Sequence, residues 1–370
     1  MMLLKLLSVR HWQKDEVKVF SLTDRGVLGD RIERLGIPVI ALGMPRGRPS
    51  FSGLFRLSRL LRQSRPCLVQ CWMYHGNLVG GLAARLGRSR AIVWGIRNSA
   101  LDANRSRGTT LWTIKVGATL SALIPQKIVC CSEVARLDHE TMGYRADKMV
   151  VIPNGFDLAA FRPDPTARVA VRRELGLPED ALLIGLVARH DPQKDHQNFI
   201  EATRLVALKH ENIRFVLCGD GIDWSNAQLE CWIKSTGIKN RFFLLRRRDD
   251  VPRITAALDI ASCTSSYGEA FPNVLGEAMA CEVPCVTTNV GDSAFIVGDT
   301  GIVVPARNPQ ALADAWATLV EAGADHRQRL GKAARDRVRQ EFELGSVASR
   351  YQTLYEQVLG APPTSKVGLQ

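Results

Sequence analysis

Leu182-Leu-Ile-Gly-Leu-Val-Ala188 runs directly into Arg189-His-Asp-Pro-Gln-Lys194, and a helical stretch near 195–209 leads to a second apolar run, Arg214-Phe-Val-Leu-Cys218. Short β-rich runs divided by helices of this length make βαβ units, and βαβ units make a parallel sheet. The pattern continues downstream. Phe242–Leu245, Asp259–Ser262, Pro284–Thr287 and Ile302–Val304 read as strands. Helices near 225–236, 251–257, 273–281 and 310–322 separate them.

Upstream the same alternation appears. Val17–Leu22, Val39–Leu42, Leu68–Trp72, Ala91–Ile96, Lys127–Cys131 and Met149–Ile152 read as strands. The intervening helices fall near 28–35, 51–63, 77–86, 110–123 and 132–142. Pro153-Asn-Gly-Phe-Asp157 and Arg162-Pro-Asp-Pro165 carry turn chemistry without periodicity. The fold class is therefore α/β, with two tandem doubly wound, Rossmann-like domains. The boundaries read as 1–157 and 158–340, with a helix over 341–360 returning to the first domain and a frayed tail over 361–370. Doubly wound domains begin with a strand, whereas this chain opens on the helix-like Met1-Met-Leu-Leu-Lys-Leu-Leu-Ser8. That apolar stretch is short, lacks a small-residue cleavage site and meets Arg10 and Lys14 soon after, unlike a secretory leader. The expectation is that the first strand and its glycine loop are missing from the N-terminal domain.

In open parallel sheets, ligands bind beyond the carboxyl ends of the strands. Arg189 and Lys194 stand five apart at such an end, where a planar fork and a point charge can grip a diphosphate. Gly219-Asp-Gly221 follows the next strand and permits close backbone approach. Further on, Ser266-Tyr-Gly-Glu269-Ala-Phe271-Pro-Asn273-Val-Leu-Gly-Glu277-Ala-Met-Ala280 sets two glutamates eight apart. Pro272 suits a helix start, and a helix N-terminus suits a phosphate. Glu269 then lies in the loop and Glu277 one turn inside. An ordinary amphipathic helix with solvated glutamates satisfies the same spacing.

Taken as an ordered set, these segments resemble the retaining nucleotide-sugar glycosyltransferases of family 4 (glycosyltransferase group 1), which have the GT-B fold. The set comprises Val150–Asp157 with Phe161, Arg189…Lys194, Leu217–Gly221, the Glu269–Glu277 pair, Val283–Thr287 and Gly301–Pro305. The resemblance spans roughly residues 10–358. It implies that Arg189 and Lys194 bind the donor diphosphate, that Glu277 holds the ribose hydroxyls and that Glu269 contacts the transferred sugar. Backbone N–H groups near Phe271 and Asn273 would face sugar or phosphate oxygens, with Gly219 and Gly221 beside them. It implies no metal cofactor, and no Asp-x-Asp stands in a loop suited to one. The donor is expected to be a UDP- or GDP-sugar. The acceptor is expected to be a glycan or lipid-linked sugar bound by the N-terminal half, within cell-surface polysaccharide or glycolipid synthesis. Family members often carry His-x-His after the strand equivalent to Leu68–Trp72. Here that stretch reads Gln70-Cys-Trp-Met-Tyr-His75, so Trp72 takes the usual position and His75 becomes the catalytic candidate. Gly95-Ile-Arg97-Asn98 ends the next strand, on the acceptor side. Other chemistry on the same fold, an epimerase or a phosphorylase, and an inactive truncated homologue remain as alternatives.

Bulk properties narrow the class. The chain has 370 residues, 46% hydrophobic and 23% charged, a globular profile with room for two cores. Its nine cysteines are odd in number, lack C-x-x-C spacing and read as reduced thiols of a cytoplasmic protein. Residues 1–153 hold 24 basic and 10 acidic residues, against 25 and 27 in the remainder. A basic first half is expected to meet something anionic: a membrane surface, a phosphorylated substrate or nucleic acid. The half lacks a nucleic-acid motif or stacking platform, so no nucleic-acid partner is expected. Arg46, Arg48, Arg56, Arg59, Arg62 and Arg65 interleave with Phe51, Leu54, Phe55, Leu57, Leu60 and Leu61. Such a helix can contact the inner face of the plasma membrane peripherally.

Overall fold

The computed structural model describes residues 2–9, 17–45, 50–99 and 108–360. Arg10, Lys14, Arg46, Arg48 and the expected tail over 361–370 lie outside the described residues. The chain divides into two compact units: Met1–Gly155 with Leu344–Gln370, and Phe156–Glu343. The division falls two residues before the boundary read at 157/158, and the return to the first unit begins at Leu344 rather than 341. Helix Gly323–Glu341 stays with the second unit, and helix Leu344–Leu359 belongs to the first.

The first unit contains strands β1 (Val19–Ser21), β2 (Val39–Ala41), β3 (Leu68–Gln70), β4 (Ala91–Ile96), β5 (Lys127–Cys130) and β6 (Met149–Val151). All pair in parallel, but in two sheets, β1-β2 and β3-β4-β5-β6. Every residue of β4 is buried, which is why its sequence is apolar throughout instead of alternating. Helix Met2–Ser8 serves both sheets from two of its faces. Met2 and Leu6 pack in a cluster with Val93, Val129, Ile152, Val347 and Tyr351. Leu4 and Leu7 pack with Ile32, Ile37 and Val39. The three- and four-residue spacings put each pair on one helical face.

In the second unit, β7 (Leu182–Val187), β8 (Ile213–Cys218), β9 (Phe242–Leu244), β10 (Ile260–Cys263), β11 (Cys285–Thr288) and β12 (Gly301–Val304) form one sheet. Its order is β12-β11-β10-β7-β8-β9, all parallel. The chain builds outward from β7 on one side, then returns to β10 on the other. The β7–β10 junction is therefore the point where a doubly wound sheet opens toward ligands. Ile184, Leu186, Phe199, Phe215 and Trp316 make the core, and Trp316 Nε1 donates to Ser262 Oγ at 2.9 Å.

Two local readings need correction. The Arg162–Pro165 stretch, read as turn, opens helix Pro165–Glu174. Asp164 caps it, accepting from Ala167 N–H at 2.8 Å, and Pro165 fits the first turn because no bond is lost there. Arg168 and Arg172 then clamp Asp259 at 2.5 and 3.1 Å, locking the helix to the sheet. The helix read over 77–86 starts earlier, at Met73, and passes through a π-helical turn, Gly76–Gly80, before Gly81–Leu86.

Candidate active site

Four loops leave the carboxyl ends of β7, β8, β10 and β11, and backbone bonds draw them together. After β7, His190 N–H donates to the Asp220 carbonyl at 2.7 Å. A Cβ on Gly219 would lie 2.1 Å from the Ala188 carbonyl oxygen, so only glycine fits there. The close approach Gly219 permits is thus to the neighbouring loop. Gly221 sits at φ 72° against His190, in the left-handed region. After β10, Thr264 Oγ1 donates to the Lys194 carbonyl at 2.7 Å and Ser266 N–H to Gln193 at 2.9 Å. After β11, Gly291 at φ 61° passes so close that a Cβ would meet the Glu269 carbonyl at 2.2 Å. Asp292 N–H donates to Ala270 at 3.1 Å.

The two cations five apart take different partners. Lys194 Nζ bonds the Glu269 carboxylate, whose same oxygen accepts from Ser265 Oγ at 2.8 Å. Both side chains are largely buried, at 18% and 10% exposure. Removing one member of such a pair leaves a buried charge alone, at roughly 3–5 kcal/mol. Arg189 swings outward, 58% exposed, and pairs with Asp191 at 2.9 Å. Asp191 also caps the turn Pro192–Lys194 through Gln193 N–H at 2.9 Å. Burial raises its carboxyl, but the Gln193 bond and Arg189 outweigh that and hold it below the usual carboxylate range. Asp195, at φ 50°, starts helix His196–Ala207 and accepts from Asn198 N–H.

Helix Asn273–Ala280 begins where the sequence places it, with Pro272 at its cap. Pro272 offers no side-chain acceptor to the first helical N–H groups. The Phe271 ring is not aimed at a ligand: it is 5% exposed and packs against Phe156 and Phe342 with centroids 6.1 and 5.6 Å apart. Its backbone still lies between Glu269 and the helix start. Glu277, half-buried, lines a small cavity with Val274, Ala278, Val187 and Ser262. Asn273 is half-buried at the helix start.

In the first unit, His75 ends the short helix Met73–His75 and is exposed, with no hydrogen-bond partner among the described residues. The neighbouring Tyr74 is buried and bonds His139 at 2.9 Å, and His139 Nδ1 bonds the Ala135 carbonyl at 2.7 Å. That tautomer makes Tyr74 the donor. Burial lowers the His139 pKa, so the pair is a neutral structural element. Asp191 and Ser265 escaped the sequence reading. Each holds one of the residues that reading singled out, and only Asp191 lay within the quoted motif. Among the described residues, no group of three or more His, Cys, Asp or Glu stands close enough to hold a metal ion. No helix among them is long and apolar enough to cross a membrane.

Two family models match the chain in order: Glycosyltransferase Family 4 over residues 9–160 and Glycosyl transferases group 1 over 168–337. A UDP-Gal:α-D-GlcNAc-diphosphoundecaprenol α-1,3-galactosyltransferase of Escherichia coli is 25% identical over 279 residues, 75% of this chain and 70% of that protein. A D-inositol 3-phosphate glycosyltransferase of Xylanimonas cellulosilytica is 31% identical over 258 residues, 65% of this chain and 58% of that protein. Several other relatives are matched over only about half of their own length. In fold, the chain is similar to Anabaena HepE crystallised with UDP, at a TM-score of 0.84 and 21% identity over 96% of each chain. The tandem parallel sheets and the ordered pair of matching domains place this chain among the GT-B glycosyltransferases, with a family 4 domain followed by a group 1 domain.

Proposed function

We propose that the chain moves a sugar from a nucleoside diphosphate to a glycan or lipid-linked acceptor, with retention at the anomeric carbon. The observation that carries this reading is the buried Lys194–Glu269 pair, held by Ser265 at the β7–β10 junction. A cation and a carboxylate fixed there suit a phosphate and a sugar hydroxyl side by side. Arg189 and Lys194 take the donor diphosphate, Glu269 the transferred sugar and Glu277 the ribose hydroxyls. Backbone N–H groups near Phe271 and Asn273 take the remaining oxygens.

In the step, the bond from the anomeric carbon to the diphosphate oxygen breaks, and its electron pair leaves with the nucleotide. The two cations stabilise that developing charge without a metal ion. The acceptor hydroxyl attacks the same face, and its proton passes to the departing phosphate oxygen. No side-chain nucleophile is required. The UDP-Gal in the Escherichia coli relative's name supports a uridine donor over GDP.

The enzyme works on the cytoplasmic side of the membrane. Helix Phe51–Ser64 buries Leu57 and Leu61 but leaves Phe51 and Phe55 74% and 63% exposed beside Arg56 and Arg59. That mixture supports peripheral contact with anionic lipid. Replacing both phenylalanines by serine should reduce flotation with anionic vesicles, and unchanged flotation would remove the membrane contact.

The donor assignment is tested by thermal shift against UDP, GDP and ADP, then their sugars. A ligand at a hundred times its Kd adds about 2.7 kcal/mol of stability. UDP should raise the midpoint of the wild type and not of Lys194→Gln. No shift with any of the three nucleotides would end the reading.

A further inference from the structure

We propose that Arg97 is the receptor for an anionic group, a phosphate ester or diphosphate, on the acceptor. This deepens the transferase reading above and rests on it. The position is the carboxyl end of β4 in the first unit, the place where a parallel sheet presents ligands.

Arg97 is a partly buried cation whose partners among the described residues are neutral. Nη1 donates to Asn154 Oδ1 at 2.8 Å, and Nη2 donates to the Tyr351 hydroxyl. The guanidinium lies over the Trp72 ring, 4.8 Å from its centroid, with the Tyr351 ring at 5.9 Å. Nε is buried and bonds no described residue. Among the described residues no carboxylate pairs with Arg97. Its ionisable neighbours cannot supply the missing charge. Burial raises the Cys130 thiol, and burial raises Tyr351 to about 12, so both stay neutral.

A buried cation without a counter-ion is unfavourable unless something compensates it. The aromatic faces and the two neutral acceptors do part of this. They also fix the planar fork, and a fixed fork favours bidentate capture of phosphate. A second observation lies alongside. Met73, next to Trp72, sits at φ 65°, a left-handed conformation that a long side chain adopts only at a penalty. Such strain concentrates at ligand sites, and here it sets the turn that carries the Trp72 platform. The two relatives described above are named for acceptors carrying a diphosphate or a phosphate, which agrees with the chemistry Arg97 lacks.

The test has two arms. In the first, inorganic phosphate is titrated calorimetrically into the full chain with UDP present to fill the second unit. Wild type should bind it, and Arg97→Gln should not. Equal binding by both, or none by wild type, would overturn the proposal. If Arg97→Gln does not fold, Arg97→Lys carries the arm, because an ammonium lacks the fork. Its affinity should fall about tenfold, and undiminished affinity would overturn the proposal. In the second arm, transfer is compared between an alkyl-linked sugar phosphate and the alkyl glycoside of the same sugar. Wild type should prefer the phosphate form in kcat/KM by about 100-fold, and Arg97→Gln should level the two. Active wild type without that preference would overturn the proposal. Absence of transfer from every donor would instead defeat the transferase reading, and the first arm would still decide the role of Arg97.

Discussion

Lys194 and Arg97 are both cations at the carboxyl ends of parallel strands, one in each unit. Lys194 meets a carboxylate, and that carboxylate is fixed by a serine. Arg97 meets an amide oxygen, a phenol and two aromatic faces. The second unit therefore supplies counter-charges from its own chain, with Asp191 on Arg189 and Glu269 on Lys194. A donor diphosphate would exchange one set of anionic partners for another. Among the described residues of the first unit, no carboxylate pairs with Arg97. On the proposed reading, neutralisation from within would hold the Arg189–Lys194 loop before a nucleotide binds, whereas a cation without a described counter-ion would favour an acceptor that brings negative charge.

The contrast can be broken most forcefully at Glu269. Glu269→Ala puts Lys194 in the situation of Arg97, without the aromatic and amide support. It should lower unfolding free energy by roughly 3–5 kcal/mol in a urea titration. A loss under about 1 kcal/mol would mean that the pair is solvated and contributes as a surface bridge does.

Acid should weaken a buried histidine in each unit next. His196 is buried beside His190, with ring centroids 5.4 Å apart. Burial first and the His190 charge second lower its pKa to about 4. The unfolded chain takes up this proton near pH 6.5, while the folded chain resists until about pH 4. Stability is thus intact above pH 6.5 and falls as pH drops through this window, by about 3 kcal/mol at most. His139 pulls the first unit in the same direction. His196→Leu should flatten the pH dependence of denaturation between pH 6.5 and 4.5, and an unchanged slope would remove His196 as its source.

The mildest change runs the other way. Asn154→Asp is nearly isosteric and gives Arg97 an internal carboxylate at the 2.8 Å contact. The charge-assisted bond should add about 1 kcal/mol of stability. It should also weaken inorganic phosphate measurably in calorimetry. Phosphate affinity that survives the substitution would place the anion away from the guanidinium.

Much of the architecture was legible in residues 182–218 alone, because a fully buried parallel strand has to be apolar along its whole length. Local chemistry misled where two rules competed. Pro163 and Pro165 read as turn, yet Asp164 between them caps a helix that Pro165 can start. The glycines around residue 76 gave no sign of a π-helical turn, since widening a helix depends on what it packs against. At the site, the sequence singled out Lys194 and Glu269 but kept them in separate roles. Their pairing spans 75 residues and arises only when β10 lies beside β7. Phe271 shows the converse limit: its place in the motif says nothing about its ring, which the core claims. Arg97 was visible at a strand end, but its neutral described partners, Asn154 and Tyr351, are remote in sequence.

The central claim is that the loop from Arg189 to Lys194 receives the donor diphosphate. A crystal structure of the full chain with UDP tests it directly. The account predicts phosphate density between the two side chains, with Arg189 released from Asp191 and Glu277 facing the ribose. Nucleotide density elsewhere, with Arg189 still on Asp191 and Lys194 still on Glu269, would contradict it.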